Sequence, residues 1–243
     1  MLERNASEPV LVYMISLNLL TLNEPTSFVT ESYKLLRTNL NFKNTNNKFQ
    51  VMLVTSAGKE EGKSTTISNL AITFAQSGKR VLLIDADLRL PQLSTIFDIN
   101  KRKKGLSNLL VEELPLDSLI NKLENLDKLE ILVAGNKNVS PTELLNSEAF
   151  EALIIKCREE YDVILIDTPP VLSFADASII SKVADGVLLV VAAHETKKPT
   201  VVEAKKNLDK VGATVIGVIL TKVKFKKMRI IIAMIQIRVS KCY

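Results

Sequence analysis

Residues 51–69, VMLVTSAGKEEGKSTTISN, constrain the fold more than any other stretch of the chain. An apolar run from Val51 to Val54 enters a small, charged loop, and Gly62-Lys63-Ser64-Thr65 then opens a helical pattern. Strand, loop and helix in that order make a phosphate-binding P-loop, whose backbone N–H groups point at an anion beside the helix N-terminus. The predicted phosphate contacts are Gly58, Lys59, Glu60, Glu61, Gly62, Lys63, Ser64 and Thr65. Lys63 is placed to reach β- and γ-phosphates, and the Ser64 hydroxyl to ligate Mg²⁺. Gly62 lets the backbone approach without a Cβ in the way. The general pattern, G-x-x-x-x-G-K-[ST], has Ala57 at its first position here, with Gly58 one place later.

A chain of 243 residues suits one large α/β domain or two small ones. The net charge is +5, with basic runs at Lys101 to Lys104 and from Lys222 to Arg229. These runs lack the repeated aromatic interleaving that favours nucleic acid, so nucleic acid is not the expected partner. Cys157 and Cys242 lie far apart, with no metal-ligand spacing, and imply a reducing compartment. The single histidine, His194, excludes a histidine-pair mechanism. Residues 9–22, PVLVYMISLNLLTL, are too short for a membrane span, which needs about 18 apolar residues. A cytoplasmic protein is expected, with any membrane association borrowed from a partner.

Residues 1–27 read as a weakly patterned lead-in. Residues 28–40 read as a helix with Thr30 as N-cap and Tyr33, Leu36 and Leu40 on one face. A helix from Ser64 to Gln76 follows the P-loop and ends at Ser77-Gly78. Further apolar strands are expected at Arg80 to Asp87, Leu129 to Ala134, Asp162 to Asp167, Gly186 to Ala193 and Ala213 to Leu220. Helical segments are expected within Leu90 to Asn100, Leu106 to Leu110, Thr142 to Glu160, Ala175 to Lys182 and Pro199 to Val211. The alternation predicts an α/β fold: a mostly parallel sheet with helices on both faces, of the P-loop NTPase type. Nothing in residues 28–227 divides them into two domains, and 228–243 form an atypical tail.

In open α/β sheets ligands bind beyond the carboxyl ends of the strands. Three such ends carry suitable chemistry: the P-loop, Asp85 with Asp87, and Asp167. Asp167 closes an apolar strand and is expected to hold Mg²⁺ directly or through water. Asp85 and Asp87 are two residues apart, and Asp85 is read as the stronger candidate for the metal and the attacking hydroxyl. Asp87 is read as assisting it or binding a partner, and Arg89 as able to meet phosphate.

VTSAGKEEGKST, VLLIDADLR and VILIDTPP resemble the Walker A, A′ and B motifs of the bacterial tyrosine kinases. The closest likeness is to the separate kinase half of Gram-positive capsule and exopolysaccharide systems, and it runs from about Glu24 to Lys227. It includes AGNKNVSPTELL, PPVLSFADA and the stretch from Ala204 to Lys222. The wider MinD/ParA-like ATPases carry an extra lysine five places before the P-loop lysine, where this chain has Gly58, so the kinase branch is favoured. The resemblance implies ATP and Mg²⁺, with Lys63, Asp85 and Asp87 catalytic and Ser64, Asp85 and Asp167 at the metal. It also implies autophosphorylation, with tyrosine-containing protein substrates of which the first is the family's own C-terminal tyrosine cluster, and a membrane-anchored polysaccharide co-polymerase adaptor that recruits the kinase to the inner face of the plasma membrane. The family's E-x-x-R-x-x-R helix, which builds a ring of subunits, is matched by Glu31, Lys34 and Arg37. Lys34 keeps the charge of the expected arginine without its bidentate fork. Two rival readings stay open: a MinD/ParA-like ATPase switch, and a nucleotide-binding regulatory scaffold.

The family expects an acidic, tyrosine-clustered tail, whereas this chain ends MRIIIAMIQIRVSKCY with Tyr243 as its only tail tyrosine. Isoleucines encoded ATT would read TAT, tyrosine, in a shifted frame, so the end is read as a frameshifted relic of such a tail. The alternative is an edge strand from Ile230 to Ile237.

Overall fold

The computed structural model describes residues 19–44, 49–100, 103–136, 140–223 and the backbone of 233–235. Its centre is β1 (Val51–Ser56), buried along its whole length because it pairs in parallel with β5 (Val163–Asp167) and β6 (Gly186–Ala192). Outward from β5 lie β2 (Val81–Asp85) and β4 (Leu129–Leu132), both parallel. Outward from β6 lies β7 (Val215–Thr221), also parallel. Antiparallel edge strands close both sides: β3 (Asn121–Lys122) on β4, and β8 (Ala233–Ile235) on β7. The order is therefore β3-β4-β2-β5-β1-β6-β7-β8.

Strand periodicity divides the interior into two cores. Val51 and Leu53 face one side of β1, while Met52 and Val54 face the other. The first side is covered by α5 (Leu106–Glu112), α6 (Pro141–Leu145), α7 (Glu148–Glu160), α8 (Asp176–Ile180) and α9 (Lys198–Lys210). The second is covered by α2 (Phe28–Lys43), α3 (Lys63–Gln76) and the short α4 (Leu93–Ile96). Six parallel strands with helices on both faces match the architecture expected from the sequence. The two edge strands are added, and β8 falls within the segment read as a possible edge strand. The rest of the tail, the lead-in before residue 19 and the basic pair Lys101-Arg102 lie outside the described residues.

Several boundaries differ from the sequence expectation. The lead-in is not wholly unpatterned, because α1 (Leu20–Asn23) docks on α3 with Thr21 fully buried. The Thr21 N–H and hydroxyl both donate to Asn69 Oδ1, at 3.0 and 2.9 Å. Ser27, not Thr30, caps α2: its hydroxyl accepts from the Thr30 N–H at 3.2 Å, while the Thr30 hydroxyl donates to the Glu24 carbonyl at 2.7 Å. The stretch from 142 to 160 is two helices, because extended Ser147 starts α7 by accepting from the Phe150 N–H. Only Leu93–Ile96 is helical between Leu90 and Asn100. Strand β2 stops at Asp85, so Asp87 belongs to the loop beyond it.

Asn69 thus joins the N-terminal helices to the P-loop helix. Asn69→Ala leaves the buried Thr21 donors without that acceptor, at an expected cost of about 1–3 kcal/mol. Urea denaturation should show a lower midpoint at unchanged slope, and an unchanged midpoint would mean that α1 is not held through Asn69.

Candidate active site

The P-loop descends from β1 and re-enters helix at Lys63. Gly62 adopts φ +86, a left-handed geometry that glycine takes without strain, and the non-glycine Glu60 also has positive φ, +59. A cavity of about 410 Å³ opens over this turn, lined by Lys59, Glu60, Gly62, Lys63, Ser64 and Thr65 together with Asp87 and Arg89. Leu90, Pro170 and Phe174 give its far wall an apolar character.

Two residues of the expected phosphate set, Gly58 and Glu61, do not line the cavity. Glu61 is 6% exposed and turns behind the loop as a brace. Its Oε2 accepts from the Ala57 N–H at 3.0 Å, its Oε1 from the Thr196 hydroxyl, and its carbonyl from the Thr221 hydroxyl at 2.6 Å. The P-loop is thereby fastened to the ends of β6 and β7. Nothing in the sequence pattern marked Thr196 or Thr221 for this role, since a threonine beyond a strand is common.

Lys63 is at the electrostatic centre. Its Nζ pairs with Asp87 Oδ2 at 3.0 Å and lies 3.3 Å from the Ser64 hydroxyl. Burial lowers its pKa, but Asp167, Asp87 and Asp85 outweigh burial and hold it above the ordinary lysine value. Asp167 ends β5 fully buried, and neither of its carboxylate oxygens accepts a hydrogen bond. The Ser64 hydroxyl is near enough to ease its charge without reaching bonding geometry, and the Thr168 N–H is committed to the Val54 carbonyl. Burial pushes the Asp167 carboxyl up to about 6 against the opposing pull of Lys63.

The structure places Asp85 and Asp87 differently. Asp85 is fully buried and does not line the cavity. Its Oδ1 accepts from the Asp87 N–H at 3.2 Å and its Oδ2 from the Leu93 N–H at 3.0 Å. Burial, reinforced by Asp167, raises its pKa well above the carboxylate range. Asp85 shapes the loop, and Asp87 is the carboxylate that this loop delivers to the cavity wall. The sequence expectation ran the strand through Asp87, whereas β2 ends at Asp85.

Arg89 is not a free phosphate contact either. Its guanidinium grips buried Asp176 through Nε at 2.7 Å and Nη2 at 3.1 Å, and donates to the Thr142 hydroxyl at 2.9 Å. It also lies 4.2 Å from the centre of the Phe174 ring. Asp176 and Thr142 fall in two of the stretches that carry the family resemblance, PPVLSFADA and AGNKNVSPTELL, and Arg89 joins the two. On α2, Glu31 and Lys34 form an exposed ion pair at 2.8 Å. Arg37 leaves that pair and donates to the Thr73 carbonyl of α3 at 2.6 Å.

The donor set fits a magnesium nucleotide. An unpartnered buried carboxylate, a hydroxyl at a helix N-terminus and a buried lysine surround one cavity. Among the described residues no three His, Cys, Asp or Glu side chains cluster to hold a metal. A cation there needs the phosphate oxygens to complete its shell, as Mg²⁺ at nucleotide sites does. Asp167→Asn removes an unpaired buried charge, so the nucleotide-free protein should gain about 1–3 kcal/mol in urea denaturation. Mg²⁺ should then add nothing to stabilisation by ADP. A lower midpoint together with an intact Mg²⁺ effect would remove Asp167 from the metal site.

Comparison with known proteins agrees with this geometry. The family model described as an AAA domain matches residues 50–212. The tyrosine-protein kinase YwqD of Bacillus subtilis is 37% identical over 210 residues, which cover 86% of this chain and 88% of that protein. The putative tyrosine-protein kinase CapB of Staphylococcus aureus is 34% identical over 205 residues, covering 84% and 89%. The crystal structure of the chimerical protein CapA2B2 superposes with a TM-score of 0.81 at 32% identity, covering 86% of this chain and 91% of that one. The septum site-determining protein MinD of Pyrococcus horikoshii, solved with Mg-ADP, superposes at 0.60 with 22% identity over 74% of this chain and 73% of its own, which shows a shared fold. The chain belongs to the bacterial tyrosine-protein kinases, a branch of the P-loop ATPases with the AAA domain.

Proposed function

We propose that this chain transfers the γ-phosphoryl group of ATP to tyrosine hydroxyls, in the control of capsular or exopolysaccharide synthesis. The observation that carries the site assignment is Asp167, buried and unpartnered beside Lys63 and Ser64. In this reading Lys63 and the loop N–H groups hold the β- and γ-phosphates. Ser64 and Asp167 hold Mg²⁺, which would neutralise phosphate charge. Asp87 orients the tyrosine hydroxyl and accepts its proton, and Asp85 holds Asp87 in place. The Asp87–Lys63 pair must open for this, since Lys63 is needed at the phosphates.

A polysaccharide role is supported by relatives such as the putative tyrosine-protein kinase CapB of Staphylococcus aureus and the putative tyrosine-protein kinase in the cps region of Klebsiella pneumoniae. The adaptor, the ring through Glu31, Lys34 and Arg37, and recruitment to the inner face of the plasma membrane rest on the family resemblance. No helix among the described residues is long and apolar enough to cross a membrane. For the ring, the exposed Glu31–Lys34 pair is the available surface, and Arg37 would have to release α3 to join it.

Lys63→Met should reduce phosphotyrosine on an added glutamate–tyrosine copolymer by at least about 100-fold while the urea midpoint changes little. Unchanged turnover in the folded variant would sink the P-loop assignment. ATP hydrolysis with no phosphotyrosine, with adaptor present, would favour the ATPase-switch reading.

Burial restricts self-phosphorylation at the two described tyrosines. Tyr33 is 3% exposed, and Tyr161 is 5% exposed with its hydroxyl donated to Glu130. The other two tyrosines, Tyr13 and Tyr243, lie outside the described residues. With the tail read as a frameshifted relic, incubation with Mg-ATP should label added substrate far more than the chain itself. Mass-spectrometric mapping of phosphate to Tyr33 or Tyr161 would contradict the burial argument, and mapping to Tyr243 would contradict the relic reading.

A further inference from the structure

A second cavity, of about 470 Å³, adjoins the nucleotide cavity and shares Leu90 and Gln92 with it. Ser94, Thr95 and Asn136 contribute to its wall, and among the described residues Lys103 is its charged group and no carboxylate lines it. Lys103 is held in place. Its Nζ donates to Asn121 Oδ1 at 2.8 Å, and the Asn121 amide nitrogen is itself fixed by the carbonyls of Leu119 and Ile131, at 3.1 and 3.2 Å. Asn121 is buried and neutral, so it orients the ammonium without cancelling its charge. Lys104, the next residue, has its charge answered by Glu112 at 2.5 Å. Among the described residues Lys103 has no such carboxylate. An ammonium has three donors, and among the described residues Asn121 is the side chain that takes one of them.

We propose that this second cavity receives an acidic side chain of the acceptor peptide, close in sequence to the tyrosine presented at Asp87, and that Lys103 selects it. The proposal rests on the tyrosine-kinase reading above and adds a substrate preference to it. Leu90, 53% exposed, forms the ridge between the two cavities. A peptide crossing that ridge in extended form advances about 3.3 Å per residue and turns alternate side chains the same way. A tyrosine on one side of Leu90 therefore places a nearby residue of its own chain over Gln92 and Lys103. A glutamate or aspartate there meets a positive charge oriented by Asn121, with no competing carboxylate among the described residues of the cavity. A basic residue there meets like charge, which discriminates against it.

The test uses the full chain with its adaptor, Mg-ATP and two synthetic peptides, identical except that glutamates or glutamines flank a single tyrosine. The wild-type kcat/KM should favour the glutamate peptide about five- to tenfold at low salt, and the preference should shrink as salt rises. Lys103→Glu should abolish the preference by lowering kcat/KM for the glutamate peptide only, and Lys103→Arg should retain it. Equal use of both peptides by the wild type, or an equal loss on both in Lys103→Glu, would overturn the proposal and leave the kinase reading intact. If ATP is hydrolysed but neither peptide is phosphorylated, both fall together.

Discussion

Lys63 carries the one positive charge that faces three buried or nearly buried carboxylates, and the site depends on that imbalance. Burial, reinforced by Asp167, holds the Asp85 carboxyl well above its ordinary range, and burial also raises Asp167 against the pull of Lys63. The protein eases the conflict unequally. Asp85 accepts two backbone N–H groups, Asp87 takes the ammonium, and Asp167 is left with neither. The site is thus unbalanced toward the arrival of positive charge, which Mg²⁺ would supply. Its apolar packing would be simpler without Asp167, so the carboxylate is a cost in stability retained where chemistry needs it.

The loops that bear this charge are braced rather than left to the strands alone. Glu61 fastens the P-loop to two neighbouring strand ends through Thr196 and Thr221. Arg89 ties the loop after β2 to α6 and α8 through Thr142 and Asp176. Each brace uses a side chain that looks from sequence like a ligand contact. A charged residue within a binding loop can serve the ligand or the loop, and spacing does not distinguish these.

The fold was largely legible in the sequence because the inner strands are covered on both faces. Val81 to Ile84 and Val163 to Ile166 must be apolar throughout, and such runs stand out. Features that depend on distant partners were hidden. Helix α1 is one turn long and is held by Asn69, 48 positions away. The break between α6 and α7 was masked by Leu144, Leu145 and Phe150, whose apolar spacing reads straight through it, although Ser147 was a visible cap signal. The three aspartates were recognised together, but dividing their duties required knowing that β2 ends at Asp85.

The relative placement of those aspartates comes from strand register. Asp167 is paired with Asp85 on one side and Val54 on the other. The ruler that spaces the carboxylates from the P-loop is therefore a ladder of main-chain hydrogen bonds, not the connecting loops. Such a ruler tolerates lengthening of the distal turns, because they do not transmit position to it. It does not tolerate a single added residue within β5, which would turn Asp167 to the opposite face of the sheet and put an aliphatic side chain in its place. Over evolutionary time a protein built this way can diversify its outer loops, and with them its partners, while the distances among its reactive groups stay constant.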